Sequence, residues 1–310
     1  MAQAPFPIDP ALTALAISYR NEMMIADAVM PRTRVGKQEF KYFKTVYGDE
    51  FTIPDTRVGR KSRPNMVETG GTEVTDSTVD YGLEDAVPLS DIQNADSRYN
   101  PLARAVTYLT NLIELDREKR VADLITTLGN YPSAQRTTLS GTSQWSDWTN
   151  SNPVSAILTA MDGMVMRPNV MVIGQQVATQ LIQHPKVVQS VNRTAQANGV
   201  IDLNGVASLF PGIERIVVGQ AWLNTAKKGQ TASYSRAWGK HCALLRIDNL
   251  ADPTRGSTFG FTAQWGDRIA GSEFDRDIGL RGGQRVRLGE SVKEVISENT
   301  LGYFFKDAVA

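Results

Sequence analysis

The sequence predicts an α+β chain in which one domain is split around another. Three observations carry that expectation. Strand-like alternation appears at residues 79–84 and returns at residues 259–265, a long helical stripe fills residues 101–128, and helices and strands alternate from about residue 150 to 250. The late strands need partners, and the strand-like segments near residues 35 and 85 are available. Residues from about 255 onward are therefore expected to return to the long helix.

Composition sets the limits. The 310 residues, 41% of them hydrophobic, suffice for a sizeable core in one large or two modest domains. Thirty-three basic and thirty-three acidic side chains cancel, so the chain lacks the overall positive field of a protein that grips nucleic acid through phosphates. A DNA contact has to be local or weak. Cys242 is the only cysteine, which excludes an intramolecular disulfide and a thiolate zinc cluster; a buried, small apolar role is expected for it. The start puts no basic residue ahead of the short apolar run Ala11 to Ile17, and no apolar stretch approaches about 18 residues. The expected product is cytosolic, neither secreted nor membrane-spanning.

Residues 1–34 read as an arm, broken early by Pro5, Pro7 and Pro10 and carrying one short helix within ALTALAISYRNEMMIADAVM. Its apolar residues suit a core face or a neighbouring molecule equally. Next, VGKQEFKYFKTVYG mixes aromatic and β-branched residues with lysines, as on a strand solvated along much of its length. In the return, TEVTDSTVDYGLEDAVPL, Val79, Tyr81 and Leu83 alternate with Asp80, Gly82 and Glu84, predicting one covered face. Pro54, Pro64, Gly70 and Gly71 punctuate the tip between them. Arg57, Arg60, Lys61 and Arg63 crowd the outgoing side, while Glu68, Glu73, Asp76, Asp80, Glu84 and Asp85 load the return. Such runs are ordinarily solvated faces; a hairpin laid across another subunit is the other reading.

Asn100 suits a helix N-cap, Pro101 the first helical position, and Gly129 a left-handed C-terminal residue. Between them Leu102, Val106, Leu109, Ile113, Val121, Leu124 and Leu128 form a stripe that DREKR at 116–120 interrupts. A helix over 101–128 would be about 42 Å long, a spine for a domain. Residues 130–152 are turn-rich and read as a connector. A helix over Val154 to Met161, a strand at 170–173, a helix from near Gln175 ended by Pro185, and strands at 215–219 and 241–247 make a compact mixed domain. Finally Phe259, Phe261, Ala263 and Trp265 alternate on a strand, and RVRLGESVKEVI follows Gly282 and Gly283 as another.

The search for chemistry finds no GxxxxGK[ST], GxSxG, HExxH or paired CxxC. GLRGGQRVRLG at 279–289 lacks the strand-then-helix setting of a phosphate cradle and reads as a turn between strands. His184 precedes Pro185 at a helix end, where an imidazole caps carbonyls. His241 adjoins Cys242, but neighbours on a strand point to opposite faces, which is poor geometry for a dyad. Asp49-Glu50 and Glu84-Asp85 suit solvated turns, and Trp145, Trp148, Trp222, Trp238 and Trp265 suit core or interface anchors. No catalytic, cofactor or metal residue is assigned; a hydrolase using buried carboxylates is the alternative from a different class.

The order and extent of VGKQEFKYFKTVYGDEFTIPDTRVGRKS, RPNVMVIGQQVATQLIQHPKVV, QAWLNTAKKGQ, RAWGKHCALL, FGFTAQWGDRIAG and IGLRGGQRVRLGESVKEVI, spanning nearly the whole chain, is similar to the major capsid protein of tailed bacteriophages, the Hong Kong 97-type fold. The resemblance implies an N-terminal arm at 1–34, an extended loop at 35–90 lying over a neighbouring subunit, a peripheral domain at 91–149 and 255–310 with a spine helix at about 100–129, and an axial domain at 150–254. It implies a non-enzymatic subunit, without cofactor, that forms the pentamers and hexamers of an icosahedral head around double-stranded DNA. Arg57, Arg60, Lys61, Arg63, Glu68 and Glu73 would be inter-subunit contacts. Implied partners are further copies, a portal, decoration proteins, weakly and non-specifically held DNA, and no membrane. The virion is the implied location, after assembly in the host cytoplasm. Some members carry a long scaffolding extension ahead of the arm; this sequence shows no room for one, so a separate scaffolding protein is expected. Some also join subunits through a lysine–asparagine bond in the loop. Lys61 lies near the tip, but nothing identifies its partner asparagine or an assisting acid. A nanocompartment shell of the same fold is the nearer alternative.

Overall fold

Two larger sheets joined by one long helix organise the chain in a computed structural model, which describes residues 6–44, 51–67, 71–96, 99–192, 199–227, 229–250 and 257–310. The first sheet has four strands in the order β1 (Arg32–Val35), β11 (Gly260–Asp275), β12 (Gly283–Ile296) and β4 (Val79–Pro88). β1 runs parallel to β11, and the other pairs are antiparallel. The late strands thus find the partners expected for them near residues 35 and 85. Gly279 and Gly282, both at positive φ, lie in the turn between β11 and β12, as expected of the glycine-rich run there.

The arm holds two helices where one is expected, α1 (Pro10–Ser18) and α2 (Ala26–Val29). The Asp9 carboxylate caps α1 by accepting from Ala11 and Leu12 N–H. Leu12 and Ala16 then pack with Val106, Leu109 and Ile113 of the long helix and with Ala270, Val286 and Leu288 of the sheet. Where β1 stops, the arm takes over the edge of β11: Asp9 N–H donates to Ala270 O at 3.0 Å, and Thr13 Oγ1 accepts from Ala270 N–H at 3.1 Å. On the opposite face Pro7 O lies 2.0 Å from where a Cβ on Gly271 would sit, so that position must be glycine.

The spine helix, Pro101–Thr126, starts as predicted, with Asn100 Oδ1 accepting from Leu102 and Ala103 N–H. Its 26 residues span about 39 Å. Its end differs from the sequence expectation. Thr127 turns extended and Gly129 lies in a short 3-10 turn. Side chains from beyond the helix satisfy its last carbonyls: Asn130 Nδ2 donates to Leu124 O at 2.7 Å and the Tyr131 hydroxyl to Ile125 O at 2.8 Å. A left-handed glycine is not needed for that task.

The second sheet has five strands in the order β5 (Arg136–Thr138), β13 (Gly302–Lys306), β10 (Cys242–Leu245), β6 (Val170–Gly174) and β7 (Arg215–Gly219). Helices Pro153–Asp162, Gln175–Gln183, Pro185–Val191 and Leu203–Ser208 accompany it. Strand alternation divides the core: Met171, Ile173, Cys242 and Leu244 join one cluster, while Val170, Val172, Ala243 and Leu245 meet Val121 and Ile125 of the spine helix in another. The connector is more ordered than a turn-rich stretch suggests. It supplies β5, and its Trp145 is buried against Phe305, with ring centroids 5.5 Å apart. β13, within the residues expected beside the spine, pairs instead with β10 and β5.

Candidate functional site

Strands β2 (Glu39–Lys44) and β3 (Thr72–Ser77) form the stem of the hairpin, in register from Glu39 opposite Ser77 to Lys44 opposite Thr72. Only one face is solvated: Phe40 and Tyr42 turn inward onto Phe261, Ala263 and Val295. Beyond the stem every residue from 51 to 67 is exposed, Ile53 at 92% and Met66 at 94%. Local bonds shape this stretch; Asp55 accepts from Arg57 N–H through its carboxylate and from Asn65 Nδ2 through its carbonyl. Arg57, Arg60, Lys61 and Arg63 make no ion pair among the described residues.

The acidic return is different. Glu73 pairs with Lys41 at 2.5 Å, Asp76 approaches Lys293 at 3.7 Å, and Glu84 engages Arg285 and Arg287. Glu68 lies outside the described residues. Of the six predicted contact residues, Arg57, Arg60, Lys61 and Arg63, without an ion pair among the described residues, crown the loop, while Glu73 belongs to the stem. On β4 the expected covered face is open along its first half, with Val79 and Leu83 exposed. Tyr81 is partly covered, with the Arg120 guanidinium 3.7 Å from its ring centre.

Sequence reasoning missed a second charged centre, built from the DREKR run. Arg117 and Glu118 are buried in the spine helix. Arg117 donates to Met30 O at 3.1 Å and to Thr262 Oγ1 at 3.0 Å, and it pairs with Asp27. Glu118 accepts from Ile25 N–H, from Ala26 N–H and from the Trp238 indole at 2.6 Å, so it fastens the arm and Trp238, in the bend ahead of β10, to the spine. Glu290 is shared by Arg32 at 2.9 Å and Arg268 at 3.0 Å, and Arg268 also reaches Glu114 at 3.1 Å. The available signal was spacing: Arg117 falls four residues from both Ile113 and Val121, on the apolar stripe itself.

These groups line a cavity of about 750 Å³ beneath the arm. Burial pushes the Glu290 carboxyl upward, but Arg32 and Arg268 outweigh it and hold Glu290 below its ordinary value. Burial likewise opposes, and Arg117 and Arg32 overcome, the shift that leaves Asp27 low. Glu118 goes the other way, burial raising it despite its three donors. Each of these carboxylates is engaged by a guanidinium or N–H donor.

The histidines are also committed to the fold. His184 Nδ1 accepts from Lys186 N–H at 3.2 Å and so caps the start of the following helix, where capping of carbonyls was expected. Its Nε2 bonds Ser151 Oγ at 3.0 Å, and because that hydroxyl donates to Asp147 O, the imidazole is the donor and Ser151 is not activated as a nucleophile. His241 Nδ1 accepts from Asp307 N–H at 3.0 Å. Cys242 is fully buried, which drives its thiol far above the ordinary range. Among the described residues no group of three His, Cys, Asp or Glu could hold a metal, and no helix is long and apolar enough to cross a membrane.

Residues 105–232 match the family described as Phage major capsid protein E. Over all 310 residues the chain is 52% identical to the Major capsid protein of Pseudomonas phage JBD67, with both proteins fully covered. The chain belongs to the phage major capsid proteins. Among solved structures, a phage-related protein from Bordetella bronchiseptica superposes on this capsid chain with a TM-score of 0.77 at 22% identity, covering 98% of this chain and 99% of that one. A chain from the mature capsid of bacteriophage PhiM1 gives a TM-score of 0.56 at 9% identity, covering 99% and 91%. At these identities the two superpositions speak for the fold alone, and the fold is the capsid fold that the sequence resembles. Membership of the family gives the chain a structural role.

Proposed function

We propose that many copies of this chain close into the pentamers and hexamers of an icosahedral phage head that encloses double-stranded DNA, and that the loop at residues 51–67 is a principal contact between copies. The exposed loop carries the reading. It displays Ile53, Val58, Met66 and Val67 together with four cations that make no ion pair among the described residues, and every residue from 51 to 67 is exposed. An extended apolar segment of this kind is a liability on a monomer and an asset on a shell subunit. Arg57, Arg60, Lys61 and Arg63 would meet acidic surface on a neighbour, setting encounter and register more than raw affinity. Glu73, tied to Lys41, would stiffen the stem.

In this reading residues 1–34 are the arm, 35–90 the extended loop, 91–149 and 255–310 the peripheral domain, and 150–254 the axial domain, with β13 reaching across to the axial sheet. The subunit performs no reaction and resides in the virion after assembly in the host cytoplasm. A separate scaffolding protein, a portal and decoration proteins are its further partners. The balanced charge suits a lining that touches packaged DNA weakly and without sequence preference.

Negative-stain electron microscopy of the expressed chain, alone and with its neighbouring genes, tests this. Closed shells with packaged DNA are expected. Shells that co-purify with an enzyme cargo and no DNA would instead indicate a nanocompartment, and a monomer or dimer under every condition would remove the shell reading.

A further inference from the structure

Glu118 is fully buried, and among the described residues its hydrogen-bond donors all lie outside the spine helix that carries it. Its Oε2 accepts from Ile25 N–H at 2.9 Å and from Ala26 N–H at 2.7 Å, where α2 of the arm begins. Its Oε1 accepts from Ile25 N–H at 3.0 Å and from the Trp238 indole at 2.6 Å. Ile25, Ala26 and Trp238 also share one apolar cluster with Val121, Ala122 and Ile125 of the spine. A carboxylate taken out of water depends on every donor it has.

Each partner of Glu118 anchors a separate piece of structure. Trp238 lies just after a two-stranded ribbon, β8 (Trp222–Asn224) and β9 (Tyr234–Arg236), whose base is closed by Ala237 N–H donating to Ala221 O at 3.0 Å. The indole is seated over Gly219, the last residue of β7, where a Cβ would come within 2.1 Å of it. A two-stranded ribbon has little stability of its own, so its root decides how firmly it is held. On the arm, residues 19–24 are irregular and run along the 750 Å³ cavity, with Met23 exposed. Thin packing of this kind is the condition for local opening.

We infer that Glu118 makes the arm and the root of the ribbon one cooperative unit, so that lifting residues 19–30 unseats Trp238, and loss of the indole bond loosens the arm. When the arm lifts, Glu118 loses two of its three donor groups and meets the water of the cavity it lines. The carboxylate then turns to water, and a buried indole N–H is left without its acceptor. In the other direction, a carboxylate deprived of the indole is held by the arm amides alone, its burial becomes less favourable, and the arm opens more often. Linkage requires the two effects to be equal. The arm's position is thereby reported on a different sheet, through a single side chain of the spine. Coupling of this kind stands whether or not the chain closes into shells.

Hydrogen exchange read by mass spectrometry on the full-length chain tests the coupling in wild type, Trp238→Phe, Asp27→Asn and Trp145→Phe. The last is the control, because Trp145 is equally buried but its indole N–H has no hydrogen-bond partner among the described residues. Trp238→Phe is expected to speed exchange in residues 19–30 about tenfold while the spine at 101–126 keeps its wild-type rate, and Trp145→Phe to leave the arm unchanged. Asp27→Asn weakens the arm's pairing with Arg117 and Arg32, and should speed residues 19–30 and 219–238 by matching factors. An arm that exchanges normally in Trp238→Phe overturns the inference, as does a ribbon root that stays protected in Asp27→Asn while the arm opens. Acceleration spread evenly over arm and spine reduces Trp238 to a structural role and overturns it too. Should the variants not fold, wild type in rising urea decides: a single opening curve for both segments, below that of the spine, is expected, and separate curves refute the coupling.

Discussion

Residues 25–32 and residues 51–67 are both short and both carry charge, and their fates are opposite. In the first, Asp27 pairs with Arg117 and Arg32, Arg32 shares Glu290 with Arg268, and the backbone is held by Glu118. In the second, four cations have no ion-pair partner within the described subunit. The first region finds its complement in its own chain; the second finds none among the described residues, and the proposed function supplies it from another copy. Charge density alone does not separate a keystone from a contact surface. The location of the opposite charge does.

The sharpest way to break this contrast is to remove the shared carboxylate. Glu290→Ala leaves Arg32 and Arg268 without it in a buried site, and a loss of about 3–5 kcal/mol is expected in urea unfolding. Gly302→Ala comes next, since a Cβ there would lie 2.4 Å from the Phe259 ring; about 1–3 kcal/mol should be lost in the same assay. Asn100→Ala removes the cap of the spine helix and should cost about 1 kcal/mol.

Acid provides a gentler probe of the committed histidines. Burial and Lys186 lower His184, and burial lowers His241 against the opposing pull of Asp307. The unfolded chain therefore binds protons first, so stability should be intact above about pH 6.5 and decline as pH falls from there toward the lowered folded values. A denaturation midpoint that does not change between pH 7 and 5 would contradict these assignments. The smallest effect on stability is expected where the effect on assembly is greatest. Arg57→Glu, Arg60→Glu, Lys61→Glu and Arg63→Glu together should leave unfolding within about 0.5 kcal/mol of wild type while blocking shells; normal particles would refute the role of the tip.

Patterns that repeat locally were legible in the sequence. Alternation identified the late strands and pointed to their early partners, and Asn100 with Pro101 marked the start of the spine. What escaped depended on distant residues. DREKR reads as a solvated interruption until Asp27, 90 positions before Arg117, and Trp238, 120 positions after Glu118, are brought to it. Gly129 looked like a helix terminator because Asn130 and Tyr131 do not announce that they cap the carbonyls instead. On β4, alternation revealed which residues share a face, but not that Val79 and Leu83 would stay uncovered.

The arm's hold on β11 has a further consequence, for polymer growth. A strand adds to a sheet only where backbone groups are free. On one side of the four-stranded sheet Asp9 and Thr13 occupy β11 at Ala270, beyond the four-residue strand β1. On the other side β4 offers a ten-residue strand. Its valence for strand addition is thus lopsided, and edge-to-edge stacking tends to stop at a pair of subunits instead of running on into a fibre.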